Sequence, residues 1–462
     1  MSTQTNERVT ENKMGVMPIN KLVFNMSLPM MISMLVQALY NIVDSIFVAK
    51  ISENALSAVS LAFPLQTLII AVGAGTGVGL NAIISKSLGE KDFEKANKTA
   101  ANGGFLYLLS YLLFLILGFT VVKPFYAGQL KSADPEIMSL GVDYLGIVMI
   151  FSFGIFMQFF FERLLTSTGK TFFSMLSQLS GALTNLILDP ILIFGWLGLP
   201  KLGVAGAAIA TVIGQCVAGV VAMVCNLKVN DEVKVSFKRF RPDGQIIGKI
   251  YAIGVPSIIM QSIGSVMTYS MNKILIGFSS TATAVFGVYF KLQSFFFMPV
   301  FGLNNGITPI IAYSYGAQQK KRMIKTIKLS MLVAFCMLMI GFAGFELIPD
   351  KLLGMFEASA DMLAIGEHAL RVIALHFLIA WFCIIAGTVF QALGKATYSL
   401  VVSVMRQLVV LVPAAYILAN VGGVDAVWWA FPIAEIMSCI VSVTCLCMVY
   451  KKIIKPLPEG RE

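Results

Sequence analysis

Long apolar runs separated by short polar segments dominate the sequence. A helix needs about 20 apolar residues to cross a bilayer, and runs of that length recur twelve times, six in each half of the 462 residues. The runs begin near Leu22, Ala55, Ala100, Met138, Thr171, Gly203, Ile250, Ala282, Ile327, Ile365, Tyr398 and Val427. This pattern predicts an all-α polytopic membrane protein with twelve transmembrane helices, numbered here as spans 1 to 12.

The two halves of the chain repeat each other at an offset of about 227 residues. Matching pairs are Pro29 and Pro256, Gln66 and Gln293, Gly79 and Gly306, Gly89 and Gly316, and, after a small shift, Gly169-Lys170 and Gly394-Lys395. We therefore expect two pseudo-symmetric six-helix bundles, residues 1–226 and 246–462, joined by a linker at 227–245. An even number of spans per half makes the repeat parallel, with a substrate path between the halves.

Composition and charge agree with a membrane location. The chain is 57% hydrophobic and 13% charged, with a mean hydropathy of +0.83, which excludes an ordinary soluble domain. Of its 34 Lys and Arg residues, about 25 fall on the side that would carry both termini, which predicts cytoplasmic termini in a prokaryotic plasma or inner membrane. The net charge of +10 then reflects this topology and contact with anionic lipids, and we expect no nucleic-acid partner.

Span 1 carries a polar stripe. Gln37, Tyr40, Asn41 and Asp44 are spaced three, four and seven residues apart, so they share one helix face. A carboxylate deep in a membrane is costly, and such groups usually mark ion or substrate pathways. The alternative is a structural hydrogen-bond cluster, although a structural role does not require a titratable group.

Span 5 holds a second polar group, Asn185, Asp189 and Pro190. The i, i+4 spacing places the amide and the carboxylate on one face, and the proline frees a backbone carbonyl nearby. This combination suits binding of a proton or a metal cation. The alternative is a proline kink at which Asp189 caps a broken helix.

Taken together, these features resemble the multidrug and toxic compound extrusion (MATE) transporters. The resemblance rests on the six-plus-six plan, Pro29 followed by Asp44, the glycine-rich end of span 2 up to Ser87-Leu88-Gly89, Gly169-Lys170, and the segment from Asn185 to Pro190. It covers nearly the whole chain. It implies cation-coupled antiport, in which a drug or organic cation leaves while H⁺ or Na⁺ enters, carried out by a monomer in contact with membrane lipids.

The resemblance also implies the site. It places the coupling cation at Asp44, Asn185 and Asp189, with Gln37 and Tyr144 as surrounding partners and Thr211 as a further match. Another branch of the family uses an acidic pair in spans 7 and 10, but span 7 of this chain contains no acid. The coupling site is therefore expected in the first half, where two neighbouring buried carboxyl groups can share one proton.

The sequence predicts the substrate contacts less specifically than the cation site. The 25 Met and 34 Phe residues provide polarizable and aromatic surface suited to lipophilic cations. The candidates are the polar residues Tyr40 and Asn41 and, by depth in the membrane alone, Phe153, Met157, Met260 and Phe295.

Two further pairs of charged residues lie in the apolar regions. Arg406 and Glu435 are expected to form an internal ion pair, and Glu162 and Arg163 to lie at the membrane interface.

Catalytic chemistry has no sequence signature here. The chain contains neither a P-loop nor a nucleophile elbow, and His and Cys residues do not cluster at metal-ligand spacing. We expect a transporter that is not an enzyme and has no cofactor beyond its coupling ion. The alternative function is a flippase for a lipid-linked precursor, which would need a cationic central groove.

Overall fold

The fold consists of helices joined by short turns. The computed structural model describes residues 12–129, 135–237, 240–356 and 359–459, and none of these forms a strand. Ten continuous helices are long and apolar enough to cross a membrane, and two bent helix pairs raise the count to twelve when each pair is taken as one span. The predicted all-α, twelve-span architecture is confirmed.

The helix bounds follow the apolar runs of the sequence. Spans 1 to 6 are Ile19–Ala49, Glu53–Gly89, Phe93–Thr120, the bent pair Pro135–Ile150 and Phe153–Ser167, Thr171–Phe194, and Gly203–Val229. Spans 7 to 12 are Gly244–Leu275, Ser280–Gly316, Lys320–Leu347, the bent pair Ala360–Ala374 and Phe377–Ala392, Ala396–Val427, and Ala430–Ile454. Short helices occupy Lys13–Val16, Val122–Gln129, Trp196–Gly198 and Pro349–Gly354.

The connection between spans 6 and 7 has no helix among its described residues. It runs from 230 to 243, because span 6 continues to Val229 and the Asp243 carboxylate caps span 7 by accepting from the Gln245 backbone N–H at 2.8 Å. Residues 238 and 239 of this linker lie outside the described ranges. The side of the molecule that carries the linker is called the linker face below.

The internal repeat extends to details of local structure. Ser52 and Ser279, 227 positions apart, each accept a hydrogen bond at 3.0 Å from the backbone N–H three residues ahead and so cap spans 2 and 8. Spans 4 and 10 bend by 42° and 50° without a proline at the break. At both breaks the backbone changes to i→i−3 bonding, from Ser152 to Met149 and from His376 to Ile373.

Span 11 departs from this symmetry. Its segment Met405–Leu411 is a π-helix, in which the Val412 N–H bonds to the carbonyl of Gln407. The corresponding part of span 5, residues 180–186, is an ordinary α-helix. One half of the molecule thus carries a local widening that the other half lacks.

The halves are in close contact near the linker face. A β-carbon at Gly89 would overlap the carbonyl oxygen of Tyr313, and one at Gly316 would overlap the carbonyl of Lys86. Spans 2 and 8 therefore meet backbone to backbone at two glycines related by the repeat.

The residues before span 1 also join the halves at the linker face. Arg322 Nη2 donates to the carbonyls of Met14 and Met17, both at 2.8 Å, while Asn12 Nδ2 donates to the Thr168 carbonyl at 3.3 Å. Burial, and then the nearby charge of Lys170, lower the pKa of Lys13 in this contact to about 8. This side of the interface is closed in the structure.

Replacing Gly89 or Gly316 with Val should destabilise the protein by about 1 to 3 kcal/mol, because the added methyl groups would push apart two packed backbones. Thermal unfolding of the purified variants measures this. Gly287→Val is the matched control, since a β-carbon there meets no atom within 4 Å. Equal losses at Gly287 and Gly89 would contradict the proposed packing.

Candidate functional site

A cavity of about 900 Å³ separates the halves and is lined by side chains from both. Val48 and Leu56, at the ends of spans 1 and 2 remote from the linker face, lie on its wall. The glycine contacts close the opposite end. The cavity therefore opens away from the linker face.

The polar stripe of span 1 forms part of the cavity wall. Gln37, Tyr40, Asn41 and Asp44 all line it, whereas Leu39 does not and is 50% exposed. The Asp44 atom Oδ1 is buried and has no hydrogen-bond partner among the described residues. An unpaired carboxylate oxygen in an apolar setting is unfavourable unless a proton or a cation satisfies it.

Spans 5 and 6 bring three more predicted residues together. The amide nitrogen of Asn185 lies 3.4 Å from Asp189 Oδ1 and 3.3 Å from Thr211 Oγ1. With the amide turned over, its nitrogen donates to Asp189 Oδ2 and its oxygen accepts from the Thr211 N–H, both at 3.1 Å. Asn185 and Thr211 line the cavity, and Asp189 lies behind them, fully buried.

These two groups meet at the carboxylates. The carboxyl groups of Asp44 and Asp189 approach closely enough for a hydrogen bond when one of them is protonated. Nearby, the Tyr144 hydroxyl accepts a hydrogen bond from Gln66 Nε2 at 2.9 Å. Carboxylate, amide and hydroxyl oxygens gathered in this way can hold either a proton or a hard cation such as Na⁺.

Pro190 does not break span 5. The helix continues through it to Phe194 and ends at Gly195, which has a left-handed backbone with φ 76°. Asp189 is therefore not the cap of a broken helix, and this part of the alternative is wrong.

Only one of the four apolar substrate candidates is among the described residues that line the cavity. Met260 lines the cavity, but Phe153, Met157 and Phe295 are not among the described residues that do, and we correct these three assignments. Phe153 is 47% exposed and its ring packs edge-on against Tyr111. Depth in the membrane was the only basis for these three predictions, and depth does not specify which side of a helix a residue occupies.

Glu162 and Arg163 do not lie at the membrane interface as expected. Both are buried and line the cavity. Glu162 accepts hydrogen bonds from the side chains of Gln158, Ser177 and Gln178 at 2.9, 3.1 and 2.9 Å.

Arg163 serves a different contact. Its Nη1 reaches across to Asn305 Oδ1 in the second half, at 3.2 Å. The i, i+4 pairing of Gln158 with Glu162 was the available sequence signal for a buried site, but the partners in span 5 and Asn305 in span 8 required the fold.

The carboxylate site has no counterpart in the second half. Under the repeat, Asp44 corresponds to Met271, Asn185 to Val410 and Asp189 to Ala414. Of the described residues, no group of three or more His, Cys, Asp and Glu is arranged to hold a metal ion. The chemistry of the cavity is thus asymmetric although its frame is symmetric.

Comparison with known proteins identifies this architecture. The sequence profile of the MatE family matches residues 29–191 and 256–417, one segment in each half of the repeat. The chain belongs to the MATE family. Both matched segments begin at the repeated prolines, Pro29 and Pro256.

Relatives of this MATE protein cover it almost completely. It is 28% identical over 423 residues to the multidrug export protein MepA of Staphylococcus aureus, an alignment that spans 90% of this chain and 91% of MepA. An outward-facing multidrug resistance MATE transporter of the MOP superfamily superposes with a TM-score of 0.90 at 26% identity, over 96% of this chain and 99% of that one. A MOP superfamily transporter from Pyrococcus furiosus, for which reverse polarity of the binding pocket suggests a different function, gives a TM-score of 0.86 at 26% identity, over 96% and 98%.

A cysteine at Asn41 should react with a water-soluble thiol reagent, whereas a cysteine at Leu39 should not. Both residues are exposed in the structure, but only Asn41 lines the cavity, and a thiol facing lipid forms little of the reactive thiolate. The measurement is labelling of each variant in membranes, in a background without the seven native cysteines. Equal labelling at the two positions would contradict the cavity wall described above.

Proposed function

We propose that this protein is a cation-coupled antiporter that exports lipophilic, often cationic, small molecules by alternating access. The observation that carries the proposal is the pair of neighbouring carboxyl groups at a cavity large enough for a drug, with Asp44 on the cavity wall and Asp189 buried behind the wall. The multidrug export relatives support the choice of substrate class.

The proposed orientation places the linker face in the cytoplasm. The basic residues concentrate on that face, as the positive-inside rule expects. The cavity then opens to the outside, in keeping with the high similarity to an outward-facing MATE transporter. Because one chain forms both walls of the cavity, we propose that the monomer is the transport unit.

Coupling follows from where the charges lie. In the outward-open state, H⁺ or Na⁺ from outside binds between Asp44 and Asp189 and neutralises part of their charge. A positively charged drug then loses its electrostatic partner and leaves. Cation entry drives drug export because the cation and the drug favour different conformational states of the protein. A ligand that bound both states equally would not change the equilibrium between them.

Span 1 provides a route from the site to the rest of the protein. Pro29 removes the backbone N–H that would bond to the carbonyl of Asn25, so the helix is weaker there. Asp44 lies on the same helix beyond this point, and spans 1 and 8 meet where Gly302 and Gly306 pack against Met31 and Ser27. We propose that cation binding at Asp44 repacks span 1 and so alters the contact between the halves.

The flippase alternative receives less support. It needs a cationic groove, but the cavity wall contains Asp44 and Glu162 as well as Arg163 and Arg406. Lys291, a basic residue within span 8 that could have contributed to such a groove, is not among the described lining residues, and its ammonium lies 5.9 Å from the ring centre of Phe356.

Asp44→Asn should reduce ethidium export to that of vesicles without the protein, because the substitution keeps the shape but removes the ionisable group. Asp189→Asn and Asn185→Ala should each lose nearly as much, and a double variant little more, because groups that share one cation act as a unit. The measurement is pH- and Na⁺-dependent ethidium transport in everted vesicles, with Asp350→Asn at an exposed position as the control. Additive losses would show that the residues have separate roles.

The two halves should move as rigid bodies. Spin labels at Glu94 and Lys321, exposed residues 227 positions apart at the starts of spans 3 and 9, should move apart when the linker face opens. A control pair within the first half, Glu94 and Lys228, should keep its distance. A Glu94 to Lys321 distance that stays constant across pH, Na⁺ and drug conditions would contradict alternating access through this face.

A further inference from the structure

The cavity carries opposite charges on its two walls. Among the described lining residues, the first half contributes two acids, Asp44 and Glu162, together with Arg163. The second half contributes a single charged side chain, Arg406. Arg163 lies on the same side as the acids, donates to Asn305 through Nη1 and is adjacent to Glu162, while its buried Nε has no partner among the described residues. Arg406 is therefore the available cation on the wall that faces the carboxylate site.

Most of the hydrogen-bonding capacity of Arg406 is unused. Its Nη1 donates to Glu435 Oε2 over a long distance of 3.4 Å, and no other protein partner bonds to its side chain within the described part of the chain. Its side chain remains 30% exposed toward the cavity. A guanidinium group has five N–H donors arranged to bind a carboxylate through two parallel bonds, so most of this fork remains free.

Unsatisfied polar atoms surround the same position. Glu435 Oε1 and Ser438 Oγ, one turn apart on span 12, are buried and have no partner in the described structure. Ser438 also lines the cavity. Buried polar atoms without partners are uncommon, and a bound water, ion or ligand is one way to complete their bonding.

The backbone beneath Arg406 differs from that of the other half. Arg406 and Gln407 lie in the π-helical segment Met405–Leu411, and both reach the cavity. The residue that corresponds to Arg406 in the first half is Gly181, on a regular α-helix. Single π-turns inside α-helices are frequent at functional sites, because the extra residue redirects neighbouring side chains.

From these observations we infer that Arg406 is the residue that binds the carboxylate of a zwitterionic drug in this cavity. This inference rests on the proposed export function and names a residue that determines its substrate specificity. The cationic end of such a molecule faces the Asp44 wall, and its carboxylate bonds to Arg406. Glu435 is the internal carboxylate that occupies Arg406 when no substrate carboxylate is present.

A matched pair of dyes tests the subsite. Rhodamine 110 carries a free carboxylate, and rhodamine 123 is its methyl ester, so the two differ only at the group that Arg406 would bind. Arg406→Gln should weaken binding of rhodamine 110 at least about tenfold more than binding of rhodamine 123, because a charge-assisted hydrogen bond is lost for one dye alone. Fluorescence polarisation with the purified protein measures both affinities.

Glu435→Gln gives the opposite prediction. It removes the competing carboxylate from Arg406 while keeping a hydrogen-bonding side chain, so binding of rhodamine 110 relative to rhodamine 123 should become tighter. The double variant Arg406→Gln/Glu435→Gln leaves no unpaired buried charge. Its binding of rhodamine 110 should be weakened more than its binding of rhodamine 123, as in Arg406→Gln alone. Arg371→Gln, at an exposed position outside the described cavity lining, controls for the loss of one positive charge.

The outcomes separate the subsite from a structural ion pair. If Arg406 only holds spans 11 and 12 together, both single variants will lower stability and affect the two dyes equally, which would overturn the inference. Unchanged affinities in Arg406→Gln would overturn it as well. A wild-type protein that binds neither dye would instead contradict the proposed drug-export function.

Discussion

Two carboxyl groups held together in a membrane protein need a positive partner or a shared proton. Asp189 is fully buried and Asp44 has an unpartnered oxygen, so the cation-free, doubly ionised pair is a high-energy state. In the proposed mechanism this instability is the source of coupling. Whatever neutralises the pair, whether H⁺, Na⁺ or the positive end of a drug, stabilises a different arrangement of span 1 and hence of the two halves.

The fold supplies symmetry, and the functional chemistry depends on departures from it. Serine caps, bent spans and interfacial glycines recur in both halves at nearly constant offsets. The acids of the first half are replaced by Met271, Val410 and Ala414 in the second, whereas Arg406 and its π-turn occur only in the second. In the proposed function, a cavity between two such walls binds one end of a dipolar molecule on each side.

The features that could be predicted from the sequence are those that the apolar environment of the membrane requires. The apolar runs gave the twelve spans, and a charged residue inside such a run, Asp44, stood out because lipid excludes it. The rotation of each helix about its own axis could not be predicted from the apolar runs. Phe153 and Phe295 have the right depth in the membrane, but they are not among the described residues that line the cavity. The prediction for Glu162 was wrong because its burial depends on hydrogen bonds from Ser177 and Gln178, which lie on another span. The bends in spans 4 and 10 were not predicted because neither break contains a proline.

Drug and coupling cation should compete for the carboxylate pair, and release of H⁺ or Na⁺ on drug binding measures this competition. The purified protein is titrated with ethidium in weakly buffered solution, with a pH indicator or a Na⁺-selective electrode as the readout. Ethidium should release H⁺ or Na⁺ from the wild-type protein, and Asp44→Asn should abolish this release. Ethidium binding that is independent of pH and Na⁺, with no ion released, would show that drug and cation do not compete.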